Sequence, residues 1–170
     1  MFFSKKWLFF LFVACSILLG IDIGTKYYVV SHISPFQGVS VFRDWLGIDF
    51  FLEYVKNTGA AWGILASLKS FLLWGRCLII IAIFFYLIFY RLSLLRTASL
   101  SVVVSGAIGN VLDFFLYGHV VDMFHFRFWG HSFAVFNVAD SMIFCGVVFL
   151  FLEQALEKRV NKRLSKEKGL

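Results

Sequence analysis

Three aspartates in the C-terminal half of the chain are candidates for paired acid–base chemistry. They are Asp113, Asp122 and Asp140. Two carboxyl groups that meet cannot both ionise easily, so one of them keeps its proton at neutral pH. The ionised member can then take a proton from water while the protonated member polarises a carbonyl group, and the two titrate as a coupled pair. That is the chemistry of an aspartic peptidase.

The same region also contains residue types that bind metals. His119, Asp122, His125 and His131 lie close together in the sequence, and imidazole and carboxylate groups are common metal ligands. His125 also fits an alternating strand pattern, however, and no HExxH motif is present. We therefore expect ordinary interfacial histidines and a reaction without a metal or organic cofactor. A serine triad is not indicated either, since Ser141 has no obvious histidine base.

The composition indicates that these residues belong to an integral membrane protein. Of the 170 residues, 61% are hydrophobic and 15% are charged, whereas soluble domains are nearer half apolar and a quarter charged. A water-soluble globule and a disordered chain are both excluded. Cys15, Cys77 and Cys145 lie in apolar runs without a CxxC pair, so neither a disulfide framework nor a zinc site is indicated.

Four apolar runs of near-spanning length predict four transmembrane helices. Lysine and arginine concentrate before the first run, between the second and third, and in the tail, which predicts that both termini are cytoplasmic. The formal charge of +6 is then a topology signal, and we expect no nucleic-acid partner. The predicted single membrane domain covers residues 1–170, with helices at about 7–24, 71–90, 97–116 and 136–152, outer segments 27–70 and 117–135, and a basic tail 153–170.

Polar residues recur at the outer end of each predicted helix. Ionisable groups at membrane depth cost about 2.5–3.5 kcal/mol each on insertion scales, so their presence needs a reason. Asp122 is expected in the short outer loop between the third and fourth helices, at the same level. This convergence predicts one site at the outer face of the membrane. The helix-end residues are Asp22 and Lys26 in the first helix, Arg76 in the second, Asn110 and Asp113 in the third, and Asn137 and Asp140 in the fourth.

Several of these residues also have a purely structural interpretation. Asp22 and Lys26 have the i,i+4 spacing of a pair that stabilises a helix end. Asn137 with Asp140 three residues later matches a helix N-cap. Arg76 either extends towards the interface or serves as the counter-charge for an aspartate. The sequence alone leaves these alternatives open.

The outer segments predict a small β-sheet on the membrane surface. Phe124, Phe126 and Phe128 alternate with His125 and Arg127, which is the period of a half-buried strand. We expect the aromatic face to contact lipid or a lipid-bearing ligand. The other expected elements are strands at 39–43 and 48–56, a turn that begins at Asn57, and a short interfacial helix over 59–68.

Five short motifs resemble those of the lipoprotein signal peptidases, the signal peptidase II family, in order and rough spacing. Any one of them is weak, but five in order over nearly the whole chain make a strong match. The motifs are Asp22-Ile23-Gly24-Thr25-Lys26, Asn57-Thr58-Gly59-Ala60-Ala61-Trp62, Gly109-Asn110-Val111-Leu112-Asp113, Gly118-His119-Val120-Val121-Asp122 and Phe136-Asn137-Val138-Ala139-Asp140-Ser141.

This resemblance implies an aspartic endopeptidase that removes signal peptides from bacterial prolipoproteins, cutting just before a diacylglyceryl-modified cysteine. It implies that Asp122 and Asp140 are the catalytic dyad, on the extracytoplasmic face of the bacterial cytoplasmic (inner) membrane. The expected partners are lipid-modified prolipoproteins and membrane lipid, and the chain is expected to be a monomer. The resemblance implies substrate-binding or supporting roles for Asn57, Asn110, Asp113, Asn137, Arg76, Asp22 and Lys26.

Phe114 departs from the family pattern, which usually has arginine directly after the aspartate at Asp113. The partner expected beside Asp113 is therefore missing from the sequence.

Two other classes of protein would share some of these features. A small membrane transporter or proton-conducting subunit also places acids at membrane depth, but it should carry polar groups on both sides of the midplane. A purely structural subunit would tolerate neutralisation of the aspartates one at a time.

Overall fold

A computed structural model describes residues 4–58 and 69–167 of the chain as a helical bundle with a small antiparallel sheet. The interfacial helix expected over 59–68 lies outside the described residues. The elements are the helices α1 (Lys5–His32), α2 (Lys69–Phe89), α3 (Leu94–Tyr117) and α4 (Val138–Glu167) and the strands β1 (Gly38–Trp45), β2 (Ile48–Asn57), β3 (Val120–Phe128) and β4 (His131–Ser132).

The four helices of the described chain are all long and apolar enough to cross a membrane. α1 runs to His32, beyond its predicted end near residue 24, because Asp22 and Lys26 pair within the helix and do not interrupt it. The helix ends where the Ile33 N–H bonds the Val29 carbonyl, shortly before Pro35, which disfavours helical backbone in the residue ahead of it. α4 likewise continues through the basic tail to Glu167.

α3 packs against each of the other three helices. Two glycines on α3 allow close approaches to the other helices. A Cβ at Gly106 would lie 2.5 Å from the Ala139 carbonyl oxygen, and one at Gly109 would lie 2.5 Å from Asp22 Oδ2. Because small residues let helices approach closely, α1 and α4 bring polar groups into direct contact with α3 near its C-terminal end.

The sheet lies at the end of the bundle where α1 and α3 end and where α2 and α4 begin. Its strand order is β1-β2-β3-β4, with every pair antiparallel. Gly118 ends α3 in the left-handed conformation, with φ of 75°, and the chain then enters β3. One face of β3 packs Val121 and Met123 against Val29 of α1 and Ile33 just after it, which fixes the sheet to the bundle.

The other face of β3 is aromatic, as the alternation of phenylalanines predicts. The Phe126 ring stacks on Phe50 of β2, with 4.6 Å between ring centroids. Phe136, just before α4, lies 5.7 Å from Phe124 and 6.0 Å from Phe126 between centroids. The result is a continuous aromatic surface along one side of the sheet.

Asp122 belongs to β3, and the prediction that it lies in a loop is wrong. Successive residues of a strand point to opposite faces, so residues 122, 124 and 126 share one face. The strand can bury this acid because two asparagines that are distant in sequence donate hydrogen bonds to its carboxyl group. The aromatic surface therefore leads along β3 directly to Asp122.

Candidate active site

Asp122 is held in a buried position by two asparagine side chains. Asp122 is only 3% exposed to solvent. Asn137 Nδ2 donates to Asp122 Oδ1 over 2.8 Å, and Asn57 Nδ2 donates to Asp122 Oδ2 over 2.9 Å. Each carboxyl oxygen thus has a donor, as a buried polar group requires.

A β-bulge in β2 brings Asn57 to the face of Asp122. Leu52 pairs with Phe124, but Val55 pairs with Asp122, so β2 contains one extra residue between these two pairs. One extra residue reverses which side chains point to each face of a strand. Asn57, rather than Lys56, consequently shares the face of Asp122. Asn57 is the last residue of β2, and the turn expected from it continues into residues outside those described. The Asn57 side chain has an acidic partner in Asp122.

Asp140 is positioned by the first turn of α4. The Asp140 N–H donates to Asn137 Oδ1 over 2.8 Å, and the Asn137 N–H donates back to Asp140 Oδ2 over 3.3 Å. This reciprocal arrangement is a capping box, so the structural interpretation of this pair is correct. Asn110 Nδ2 on α3 donates to Asp140 Oδ1 over 2.8 Å, which links the cap to the neighbouring helix.

Asn137 connects the two acids directly. Its side chain is fully buried. Its Oδ1 orients the backbone of Asp140, while its Nδ2 donates to Asp122 and also lies 3.2 Å from Asn110 Oδ1. The helix cap and the support of Asp122 are therefore two functions of one residue, and the structure brings β3 and the start of α4 together through it.

Lys26 forms the centre of a second, buried group beside the acids. Its Nζ lies 2.8 Å from Asp22 Oδ2 and 2.8 Å from Asp113 Oδ2, and it donates to Asn110 Oδ1 over 3.1 Å. Lys26 is 1% exposed. The i,i+4 pair of α1 thus extends to α3, and Asn110 carries the contact on to Asp140.

Two backbone N–H groups complete this support, and neither has a signal in the sequence. The Ala139 N–H donates to Asp22 Oδ1 over 2.8 Å, and the Val121 N–H donates to Asp113 Oδ2 over 3.1 Å. Any residue type except proline offers such a donor. Asp22 therefore fixes the backbone just before Asp140, and Asp113 fixes the backbone just before Asp122.

The surroundings of Asp122 raise its pKa to about 7. Burial is the largest cause, because it disfavours the charged form, and the negative charge of Asp140 adds to it. Hydrogen bonds from Asn57 and Asn137 and the charge of Lys26 lower the pKa and offset part of the shift. At neutral pH the side chain is therefore poised between its protonated and ionised forms.

Arg76 lies at the same end of the bundle but contacts an aromatic ring. Its guanidinium carbon is 5.6 Å from the centroid of the Phe114 ring on α3, within the range of a cation–π contact. The cation that pairs with Asp113 is Lys26, so Arg76 is not the counter-charge of this aspartate.

Two of the histidines considered as metal ligands, His119 and His125, have partners within the protein. His119 Nε2 lies 3.0 Å from the Tyr54 hydroxyl, and burial, with a smaller effect from Lys56, lowers the His119 pKa. His125 places one ring nitrogen 2.8 Å from Glu53 and the other 2.9 Å from Ser132. Across residues 4–58 and 69–167, no group of three His, Cys, Asp or Glu residues is arranged to hold a metal ion.

Comparison with known proteins points to one family. A family model described as signal peptidase (SPase) II matches residues 14–156. A lipoprotein signal peptidase of Streptococcus thermophilus is 41% identical over 82% of this chain and 88% of its own length. That of Enterococcus faecalis is 33% identical over 89% of this chain and 91% of its own.

A solved structure shares the fold. It is a bacterial membrane enzyme determined by the in meso method at 2.3 Å resolution, and it superposes with a TM-score of 0.77 at 26% sequence identity. The match covers 95% of this chain and 93% of the other. These relatives do not favour the transporter alternative. The chain, a bacterial membrane protein whose described residues include four apolar helices, belongs to the signal peptidase II family.

Proposed function

We propose that this chain is an aspartic endopeptidase of the bacterial cytoplasmic membrane with Asp122 and Asp140 as its catalytic dyad. Its reaction is the removal of signal peptides from prolipoproteins. The proposal rests above all on one observation: Asn137 binds Asp122 through its side chain and also caps the helix turn that carries Asp140.

In this proposal the two acids have different roles, which the raised pKa of Asp122 supports. Protonated Asp122, with a pKa of about 7, donates a hydrogen bond to the carbonyl oxygen of the scissile peptide. Asp140, in the first turn of α4 where the helix dipole favours negative charge, takes a proton from water as the water oxygen bonds to the carbonyl carbon. The proton then passes to the leaving nitrogen, and the C–N bond breaks.

The remaining polar residues act through the dyad or on the peptide beside it. Asn57 and Asn137 orient Asp122, and Asn110 orients Asp140. Lys26 neutralises part of the charge of Asp22 and Asp113 and holds Asn110 in place. None of these roles requires a metal or an organic cofactor.

The aromatic surface of the sheet supports a lipid-bearing substrate. Phe124, Phe126 and Phe128 lie on the face of β3 that continues to Asp122. Acyl chains of a diacylglyceryl-modified cysteine can remain in an apolar environment along this surface while the adjacent peptide bond reaches the acids. In this proposal cleavage occurs just before the modified cysteine. The enzyme acts on prolipoprotein as a monomer that is surrounded by membrane lipid.

Charge distribution supports an extracytoplasmic site. The cationic residues near the start of α1, between α2 and α3, and in the tail lie at the opposite end from the sheet. Since cationic loops favour the cytoplasmic side, both termini are cytoplasmic in this proposal, and Asp122 and Asp140 open towards the outer leaflet.

The test uses the purified protein in detergent with a lipid-modified prolipoprotein and the same protein without lipid. Mass spectrometry of the products compares wild type with Asp122→Asn and Asp140→Asn. Cleavage just before the modified cysteine, lost in both variants while they remain folded, is the expected result.

Two results would contradict the proposal. Well-folded wild type that leaves the lipid-modified substrate intact would exclude the peptidase activity under these conditions. Full activity in either asparagine variant would exclude that aspartate from the dyad, while leaving the peptidase assignment in place.

A further inference from the structure

Arg76 holds a buried positive donor that the proposed catalytic dyad does not use. Its Nη1 atom is shielded from solvent and has no hydrogen-bond partner among the residues that the structure describes. Its guanidinium group lies over the Phe114 ring at 5.6 Å from the centroid. The ring stabilises the cation but leaves the N–H groups in the guanidinium plane available.

An unpaired donor of this kind is costly. A buried polar group without a partner loses its hydration without compensation, and the loss is larger when the group is charged. In a membrane-spanning helix such as α2, a cation marks a functional site by default. An acceptor that arrives with a ligand would relieve this cost, so the arrangement favours binding of an oxygen atom from outside the chain.

The position of Phe114 relates this donor to the helix that supports the proposed dyad. Phe114 follows Asn110 by four residues on α3, so the two side chains are neighbours on one helix face. Asn110 donates to Asp140. α2 packs against α3, and Arg76 therefore reaches the α3 face that supports the dyad, one helical turn closer to the sheet.

We propose that Arg76 is a substrate-binding residue whose Nη1 donates to a carbonyl oxygen of the lipid-modified segment, with Phe114 as the ring that holds the guanidinium in place. The proposal rests on the function proposed above. The acceptor is a neutral carbonyl oxygen, which the substrate offers both in its peptide backbone and in the ester groups of its diacylglyceryl chain.

The experiment measures kcat and KM for cleavage of a lipid-modified prolipoprotein in detergent. Arg76→Gln removes the charge-assisted hydrogen bond and should raise KM about tenfold or more, with kcat within about twofold of wild type. Arg76→Lys keeps the charge but loses the planar group that stacks on the ring. Its KM should therefore lie between that of wild type and that of Arg76→Gln. Arg91→Gln makes the same charge change beyond the other end of α2 and serves as the matched control.

Phe114 provides a second, independent test. Phe114→Leu removes the ring beneath the guanidinium and should raise KM in wild type but produce no further rise in Arg76→Gln. Phe114→Trp retains an aromatic face, so its KM should lie nearer that of wild type than the KM of Phe114→Leu does. Thermal unfolding of each variant shows whether the fold is intact.

A substrate analogue with ether-linked chains identifies the acceptor. If Arg76 binds an ester carbonyl, the ether analogue has a high KM with the wild-type enzyme, and Arg76→Gln produces no further rise in that KM. If Arg76 binds a peptide carbonyl, the variant raises KM equally for both substrates. Either result supports the proposal and names the oxygen.

Two outcomes would overturn it. One is an unchanged KM for Arg76→Gln with active wild-type enzyme, which would exclude Arg76 from substrate binding without affecting the peptidase assignment. The other is a KM effect that disappears in phospholipid-free detergent, which would show that Arg76 binds a lipid headgroup instead. Failure of wild type to cleave at all would count against the proposed function.

Discussion

Lys26 Nζ lies 2.8 Å from Asp113 Oδ2, and this contact joins α1 to α3 inside the protein. The same nitrogen is 2.8 Å from Asp22 Oδ2. One cation thus serves two buried carboxylates, one on its own helix and one on a neighbouring helix. Removing one member of a buried ion pair leaves an uncompensated charge, which is far more costly than removing the whole group.

Lys26→Met should therefore destabilise the protein by about 3–5 kcal/mol. The physical reason is the burial of Asp22 and Asp113 without their counter-charge. The measurement is thermal unfolding in detergent, together with the amount of inserted protein. Adding Asp22→Asn and Asp113→Asn to the variant should restore most of the loss, and a melting temperature equal to wild type in the single variant would contradict this account.

Asp122 and Asp140 should act as one catalytic unit. Asp122→Asn and Asp140→Asn should each lower kcat by about 10²–10⁴-fold, and the double variant should be little worse than either single variant, because groups that act together are strongly non-additive. Single-turnover cleavage of the lipid-modified substrate measures the rates. Effects that multiply in the double variant would indicate two independent contributions.

Asp113→Asn provides the comparison for the dyad. Asp113 contacts Lys26 and the Val121 N–H, so its neutralisation should reduce rate or stability only partly. Complete loss of cleavage at normal protein abundance would require a direct role for Asp113.

The sequence predicts the helices and most of the sheet because their signals are local. Runs of apolar residues and the alternation at Phe124, Phe126 and Phe128 need no knowledge of distant contacts. The N-cap at Asn137 is equally local, since its partner is three residues away.

The parts that the sequence does not predict depend on pairing between distant segments. The bulge between Leu52 and Val55 has no local signature, yet it decides that Asn57 faces Asp122. The partnership of Lys26 with Asp113 likewise requires the packing of α1 on α3. Motif spacing thus indicates the candidate site residues, whereas register and helix packing determine which of them meet.

Arg96 and Glu153 should matter for stability alone. Arg96 Nε donates to Glu153 Oε2 over 3.0 Å, and Glu153 is 6% exposed. This pair joins α3 to α4 about 20 Å along the helix axis from Asn110. Arg96→Met should lower the melting temperature because it leaves Glu153 buried without a cation, while KM and kcat stay near wild type.

Glu157 is the matched control for that prediction. Arg96 Nη2 donates to Glu157 over 3.0 Å, but the Glu157 side chain is 51% exposed. Since exposed ion pairs contribute about 0–1 kcal/mol, Glu157→Gln should have little effect. Equal destabilisation by both variants would show that burial of Glu153 is not the cause.

The pKa of Asp122 predicts an alkaline limit to activity. An acid whose pKa is raised to about 7 is protonated below that pH and ionised above it. If protonated Asp122 polarises the scissile carbonyl, kcat/KM should fall about tenfold per pH unit above about pH 7. The profile is measured at constant ionic strength, with thermal unfolding at each pH as the control for stability. A kcat/KM that keeps rising through about pH 9 would exclude this role.

Asn57 should set the position of that alkaline limit. Its Nδ2 donates to Asp122 Oδ2 over 2.9 Å and so stabilises the ionised form, which lowers the Asp122 pKa. Asn57→Ala removes the donor, so the pKa should rise further and the alkaline limb of kcat/KM should move about one pH unit higher. Thr58→Ala alters the next residue without removing a donor to Asp122, and its limb should stay at the wild-type pH. General damage to the site would lower the maximum of kcat/KM without moving its alkaline limb. A limb shifted in Asn57→Ala but not in Thr58→Ala would therefore establish that the Asn57 hydrogen bond, which the bulge in β2 makes possible, lowers the Asp122 pKa.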